Sequence, residues 1–289
     1  MSAWDDLNLL TQPAAIAGGS AAARQRTRRL LDEVTSLTLV KSTRTYWRGL
    51  SDASYRLDPS ILHHDPANAP SSLKEVHDAA DGLIEDANAG SHLWRDGISL
   101  RGLHDLETLA LLQHFGVATP LLDLTADQLV ALYFAVRSHD NKDGLLVGWN
   151  AMKWMDLTGF EQNYAAAISW LVADDTLGMM VPPVMSDRVV VQRSRMLVAP
   201  VIPRTMHWAR SISSMRLPNL PPSWSQAKLR ALFARRGAGR RAMPAVVGFH
   251  VPRGLKPYIR AILRDSFGIE HITLFPDPAG YAERPPNTG

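Results

Sequence analysis

Between Leu109 and Val136 the chain reads LALLQHFGVATPLLDLTADQLVALYFAV, two apolar runs joined by a polar hinge. Leu109, Leu112 and Gln113 stand at helical spacing, and Gly116 follows where a helix-terminating glycine sits. On the far side, Asp123 or Thr125 can cap a second helix whose apolar face runs Leu129, Val130, Leu132, Tyr133 and Val136. Packing alone asks for few hydrogen-bonding groups in a short elbow between two buried helices. This elbow holds Gln113, His114, Thr119, Asp123, Thr125 and Asp127. Some of them are therefore expected to meet a ligand.

Upstream, Thr45-Tyr46-Trp47-Arg48-Gly49-Leu50 reads as a strand that breaks at Gly49, with Tyr55, Leu57, Pro59 and Ser60 following. Arg48 stands beside two aromatics, where stacking can orient its guanidinium toward an anion. Together these segments resemble the FRG domain family, named for its (Phe/Tyr)-Arg-Gly motif. The family's second signature is matched by Gln113-His114-Phe115-Gly116, Thr119, Leu121-Leu122-Asp123, Thr125 and Ala131-Leu132-Tyr133-Phe134-Ala135. Arg188 with Gln192, and the segment from Gly268 to Ala282, extend the likeness over roughly residues 44 to 282. The chain departs from the pattern at Pro120, where the family usually has arginine, and at Leu124, where it has an aromatic. The family's Gln-Gly pair is Gln192-Arg193 here.

With 289 residues, 46% of them hydrophobic and 20% charged, the chain can bury a full core as one large domain or two small ones. The resemblance divides it into a helical N-terminal extension (1–43), an FRG-like domain (44–282) and a tail (283–289). A net charge of +3 does not demand a nucleic-acid partner. The basic residues nevertheless cluster at Arg24–Arg29 and Arg235–Arg241, either as a solvated helix face and a loop or as phosphate contacts. The chain has no cysteine, which excludes disulfides and thiolate chemistry and fits a reducing cytoplasm. The first residues lack a basic start followed by an apolar core, so no signal peptide is read. No apolar run reaches the roughly 18 residues of a spanning helix, so no membrane partner is expected.

Local patterns predict helices over Ala21–Leu39, after a break at Ala17–Ser20, and over Leu73–Ala89, Phe160–Ala173, Ser225–Arg235 and Leu255–Phe267. Strands are expected over Leu145–Trp149, Arg188–Ala199, Ala245–Val251 and Ile272–Phe275. Residues 66–72 read as a loop, and 200–222 are proline-rich and unassigned. Helices concentrate early and strands late, which argues for an α+β fold in a single compact domain.

Several mechanisms find no support. Gly237-Ala238-Gly239 is too short for a phosphate loop, and no nucleophile elbow accompanies a Ser-His-Asp set. Adjacent His63 and His64 cannot both point at one metal, and no metal site is expected. What remains is a constellation of Arg48, His114, Thr119, Asp123, Thr125, Arg188 and Gln192, with Glu107 ahead of His114. Each can be read as fold cement: a helix-end histidine, a cap, a salt bridge. Burying all of them together as cement is harder to explain, because buried charged networks seldom stabilise a fold more than apolar packing does.

The order of these features is similar to the ADP-ribosyltransferase plan, which implies a split sheet with flanking helices and NAD as the substrate. Under that likeness Arg48, His114, Asp123 and Gln192 are the catalytic candidates. Tyr46, Arg48, Gly49, Thr119, Thr125 and Arg188 are the NAD-binding ones. Loss of nicotinamide passes through a cationic state, so a carboxylate (Asp123 or Glu107) near the ribose and cations on the diphosphate are needed. Gln192 can hydrogen-bond a ribose hydroxyl but cannot act as a base. The implied role is a toxin or phage-defence effector that modifies protein or nucleic acid, checked by an antitoxin or chaperone protein. The alternatives are an RNA- or DNA-binding or RNA-processing protein, and a nucleotide-binding regulatory module without turnover.

Overall fold

A computed structural model describes residues 19–36, 44–90 apart from 54, 56–58, 63–64, 66 and 68, 102–200 apart from 175 and 185, and 246–277. Expectations for 200–222, Ser225–Arg235, His63–His64 and Arg235–Arg241 thus fall wholly or almost wholly outside the described residues. Helix α1 spans Gly19–Ser36, so Gly19 and Ser20 belong to the helix and not to a break before it. Strand β1 (Thr45–Leu50) follows, then a 3-10 turn at Ser60–Leu62, α2 (Leu73–Gly90) and α3 (Asp105–His114). Next come β2 (Leu122–Thr125), α4 (Gln128–Val136), β3 (Gly144–Asn150) and β4 (Met155–Asp156). After these lie α5 (Tyr164–Ala173), β5 (Gly178–Met180), α6 (Asp187–Val191), β6 (Ser194–Val198) and β7 (Val246–Val251). Helices α7 (Lys256–Phe267) and α8 (His271–Leu274) close the described chain.

The strands form one seven-stranded sheet in the order β4-β5-β6-β2-β1-β3-β7. Only the β4–β5 pair is parallel. The fold is α+β, although helices and strands interleave; what separates it from alternating α/β is the antiparallel pairing. Strand β1 pairs with β3 along its whole length, from Thr45 with Asn150 to Leu50 with Leu145, and β2 pairs with β6 over four residues. Between β1 and β2 there is a single pair, Trp47 with Thr125. Two well-laddered groups of strands therefore share one rung at the centre of the sheet.

Side chains alternate across that sheet. Tyr46, Leu50, Leu122, Leu124, Leu145, Val147, Trp149, Met179 and Leu197 form one continuous apolar layer on one face. The other face carries two cores. One gathers Trp47, Leu146 and Phe249 beneath α4, with Leu30 and Val34 of α1 and Ile259 and Leu263 of α7. The second gathers Met180, Met196 and Val198 beneath α2, α3 and α5. The junction between the two cores lies over the β1–β2 seam.

Five local expectations are corrected. The elbow does not run from helix to helix. Leu122–Thr125 is a strand, with Leu122 and Leu124 buried on one side and Asp123 exposed on the other. Four residues of that alternation suit a pleat better than a helical turn. The cap of α4 is accordingly Asp127, whose carboxylate accepts from the Leu129 and Val130 amides at 2.9 and 3.4 Å, and not Asp123 or Thr125. Gly49 does not break β1, which continues to Leu50. It is glycine because α4 crosses there, and a Cβ would overlap the Ala131 carbonyl oxygen and the Ala135 amide.

Arg188–Ala199 is not one strand. Valines 189–191 sit in α6, and Gln192-Arg193 then turns the chain into β6, with Arg193 at φ 48°. That position is left-handed, and arginine occupies it at a conformational cost. Finally, Ile272–Phe275 is not a strand. Thr273 Oγ1 accepts from the Glu270 amide at 3.0 Å, and this reciprocal cap turns His271–Leu274 into a short helix.

Candidate functional site

A cleft of about 340 Å³ opens at the β1–β2 seam. Trp47, Arg48 and Gly49 of β1 form one wall, and Asp123, Leu124 and Thr125 of β2 form another. Residues from both faces of the sheet contribute, as expected where two strands part after a single rung. Helix α4 supplies Ala131 and Phe134 and, just beyond its end, Arg137; α6 and the end of α3 add Val189, Gln113 and His114. Phe275, just after α8, completes the lining with Arg188 and Gln192.

Arg48 is the group that packing explains least. Its Nη1 donates to the main-chain carbonyl of Asp123 at 2.6 Å, so a side chain makes a second link across the seam. The Asp123 carboxylate is 3.9 Å from the same nitrogen, beyond hydrogen-bonding distance. Nε is shielded from solvent and has no partner among the described residues. Burial lowers the guanidinium's pKa, with Asp123 opposing the shift, yet an arginine remains a cation. Asp123 itself is open, its side chain 57% exposed at the cleft mouth.

The other candidates divide. His114 ends α3 with Nε2 3.1 Å from Ser186 Oγ; burial and Arg188 lower its pKa, while Asp277 and Asp123 raise it. Thr125 donates to the Gln192 carbonyl at 2.6 Å and accepts from the Asp127 amide at 3.0 Å, binding β2 to the turn after α6. The Gln192 amide donates to the Leu274 carbonyl at 2.9 Å. Arg188 sets its fork on Asp277, at 2.9 and 2.7 Å, and lies 4.8 Å over the Phe275 ring. These residues line the cleft but lean on their neighbours.

Three candidates lie elsewhere. Tyr46 shares the sheet face of Arg48 two residues on, but packs 5.9 Å from Trp154 and does not line the cleft. Thr119 is wholly buried behind the wall; it donates to Gln113 Oε1 and its amide donates to Ser60 Oγ at 3.1 Å. Glu107 accepts from the His104 amide at 3.0 Å and caps α3. Among the described residues the one carboxylate lining the cleft is Asp123. No group of three or more metal-ligating side chains occurs among them.

Sequence reasoning passed over Arg137, Phe134 as a cleft residue, Phe275 and Asp277. The first two were findable. Ala131, Phe134 and Arg137 stand at i, i+3 and i+6, one stripe of α4 continued past its end, in a helix whose remaining faces are apolar. Asp277 carried no local signal, since its partner Arg188 is distant in sequence. Of the basic patches, Arg24, Arg28 and Arg29 are exposed along α1.

The model of the FRG domain matches residues 43–144. No curated protein and no solved structure matches the chain. The matched segment holds Arg48, His114, Asp123, Thr125 and Arg137, and stops short of Arg188, Gln192 and Phe275 on the facing wall. None of the described helices is long and apolar enough to cross a membrane.

Proposed function

We propose, from the match of residues 43–144 to the FRG domain and the convergence of Arg48, Gly49, His114, Asp123 and Thr125 on one cleft, that the cleft binds NAD and that the chain transfers ADP-ribose from it to a protein or nucleic-acid acceptor. The observation that carries this reading is Arg48: a guanidinium held at the cleft with Nε unpartnered and its nearest carboxylate at 3.9 Å. The side chain is 25% exposed, so the cost lies in the one shielded, unpartnered nitrogen, which an anion such as a dinucleotide diphosphate can complete. Phe134 and Phe275 add apolar surface to the lining of the cleft.

In the transfer, the bond between nicotinamide and the ribose carbon breaks and nicotinamide leaves with the bonding pair. The ribosyl cation is then taken by an acceptor nucleophile, which loses its proton. Asp123 is the group available to stabilise that cation, because Glu107 is committed to a helix cap and Gln192 is an amide. An activity of this kind acts on the cell's own NAD. The toxin or phage-defence role, and control by an antitoxin or chaperone protein in the cytoplasm, belong to this proposal.

The decisive experiment incubates the full chain with NAD labelled in the adenine and follows free nicotinamide and label on a cell lysate. We expect both, and we expect Asp123→Asn to slow nicotinamide release by about 10²-fold, the scale of a lost preorganised charge, with the fold intact. A folded wild-type protein that binds no NAD at millimolar concentration overturns the proposal. Binding without nicotinamide release selects a second reading, a nucleotide-binding module without turnover. That reading is favoured by the exposure of Asp123 and by the neighbour-bound state of Gln192, Thr125 and Arg188. Retention of RNA that weakens steeply with salt would instead assign the exposed arginines of α1 to nucleic acid.

A further inference from the structure

The charges around the cleft are unevenly compensated. Arg188 is matched by Asp277 through a two-point contact, and Arg48 has Asp123 nearby but not bonded. Arg137 has no carboxylate partner among the described residues. Its guanidinium carbon lies 5.5 Å from the centre of Phe134 and 5.3 Å from that of Phe275. Phe275 already carries Arg188 at 4.8 Å and, stacked at 4.7 Å and 16°, His271. Two arginines thus converge on one ring. Like charges held this close repel unless each is neutralised; Asp277 neutralises one and leaves the other.

Contact with two phenyl rings set at 75° to one another confines the Arg137 guanidinium while leaving its N–H groups unspent among the described residues. Ala131, Phe134 and Arg137 form the stripe that borders the cleft on the α4 side, while Arg48 enters from β1. We infer that Arg137 and Arg48 together form a two-cation seat for a diphosphate group, with Arg188 braced as its support. The inference rests on the reading of the cleft as a nucleotide site and narrows its ligand to one carrying two linked phosphates, as against a mononucleotide or a single phosphate. Planar, charge-assisted contacts from two directions suit a diphosphate, whose oxygens face outward on both sides.

The test titrates the full chain with inorganic diphosphate and, separately, orthophosphate at one ionic strength in a calorimeter. We expect diphosphate to bind about tenfold tighter or more, the scale of one additional charge-assisted contact. Arg137→Gln should bring the two affinities within about twofold, the contact having gone, with the thermal midpoint unchanged. Arg137→Lys keeps the charge without the planar fork and should retain part of the preference; it also serves if the glutamine variant is unstable. Equal wild-type affinity for the two anions, no binding of either, or an undiminished preference in Arg137→Gln overturns the seat. Failure of the nucleotide reading is distinguishable. A diphosphate preference that depends on Arg137 without any NAD binding leaves the seat standing, whereas NAD consumption with unchanged KM in Arg137→Gln removes the seat and keeps the function.

Discussion

Arg48 keeps a guanidinium nitrogen away from water with no partner among the described residues, an arrangement that costs about 1–3 kcal/mol per unsatisfied group. If its role is to complete an anion site, Arg48→Lys should abolish NAD and diphosphate binding, because charge is retained but the fork is lost. Stability should change by no more than about 1 kcal/mol, read by urea denaturation. A large fall in stability with binding per folded molecule intact would make Arg48 structural. His114 carries a pH prediction. Its pKa is lowered from an ordinary value near 6.5, chiefly by burial, so the folded chain disfavours its protonated form. Its contribution to stability is therefore complete above about pH 6.5 and is lost as pH falls through the lowered folded value. Between pH 7 and pH 5 the wild type should lose more denaturant resistance than His114→Gln; parallel curves would remove His114 as the cause. The motif residues were legible at this scale because their types are unusual for packing: an arginine beside glycine in a strand, and six polar groups in an elbow. The partners that decide their roles were not legible. Asp277 for Arg188, Ser186 for His114 and Leu274 for Gln192 are all long-range contacts without local pattern.

At the level of elements, β1 and α4 approach so closely that the sheet carries glycine where they touch. Gly49→Ala would place a methyl group against the Ala131 carbonyl and the Ala135 amide, backbone atoms that cannot step aside as a side chain could. The expected loss is about 3 kcal/mol, the upper range for overpacking, with a shift of α4 that also disturbs the cleft. Chemical denaturation of Gly49→Ala checks it, and a loss near zero would mean that the close approach is not rigid. The longer elements were legible for a physical reason: α2 and α7 each bury a face whose period fixes their type, and β3, buried on both faces, reads as a short continuous apolar run after a turn. The misread elements were short. Residues 122–125, 187–191 and 271–274 each contain too few side chains to establish a period. The deciding information was a cap at Asp127, a left-handed Arg193 and a reciprocal cap from Glu270 and Thr273.

Across the whole molecule, the matched segment and the facing wall are assembled from distant parts of the chain. The Arg188–Asp277 pair fastens the segment after α8 to α6 and so holds Phe275 in the cleft. Its side chains are 14% and 19% exposed, between the fully buried and the open case. Asp277→Asn should lower stability by about 1–3 kcal/mol, between the limits for exposed and buried pairs, measured by thermal or urea denaturation. It should also weaken diphosphate binding, because Phe275 then no longer fixes Arg137. Unchanged affinity in a destabilised variant would separate the brace from the seat. The single rung between β1 and β2 has a wider consequence. Each strand group folds over its own core on the helical side, so the weakest plane through the sheet passes between two potential cooperative units. Amide protons of Trp47 and Thr125 should then exchange through a local parting that leaves the β1–β3 ladder protected. A ligand bridging the walls would act as a removable rivet, slowing exchange on both sides at once.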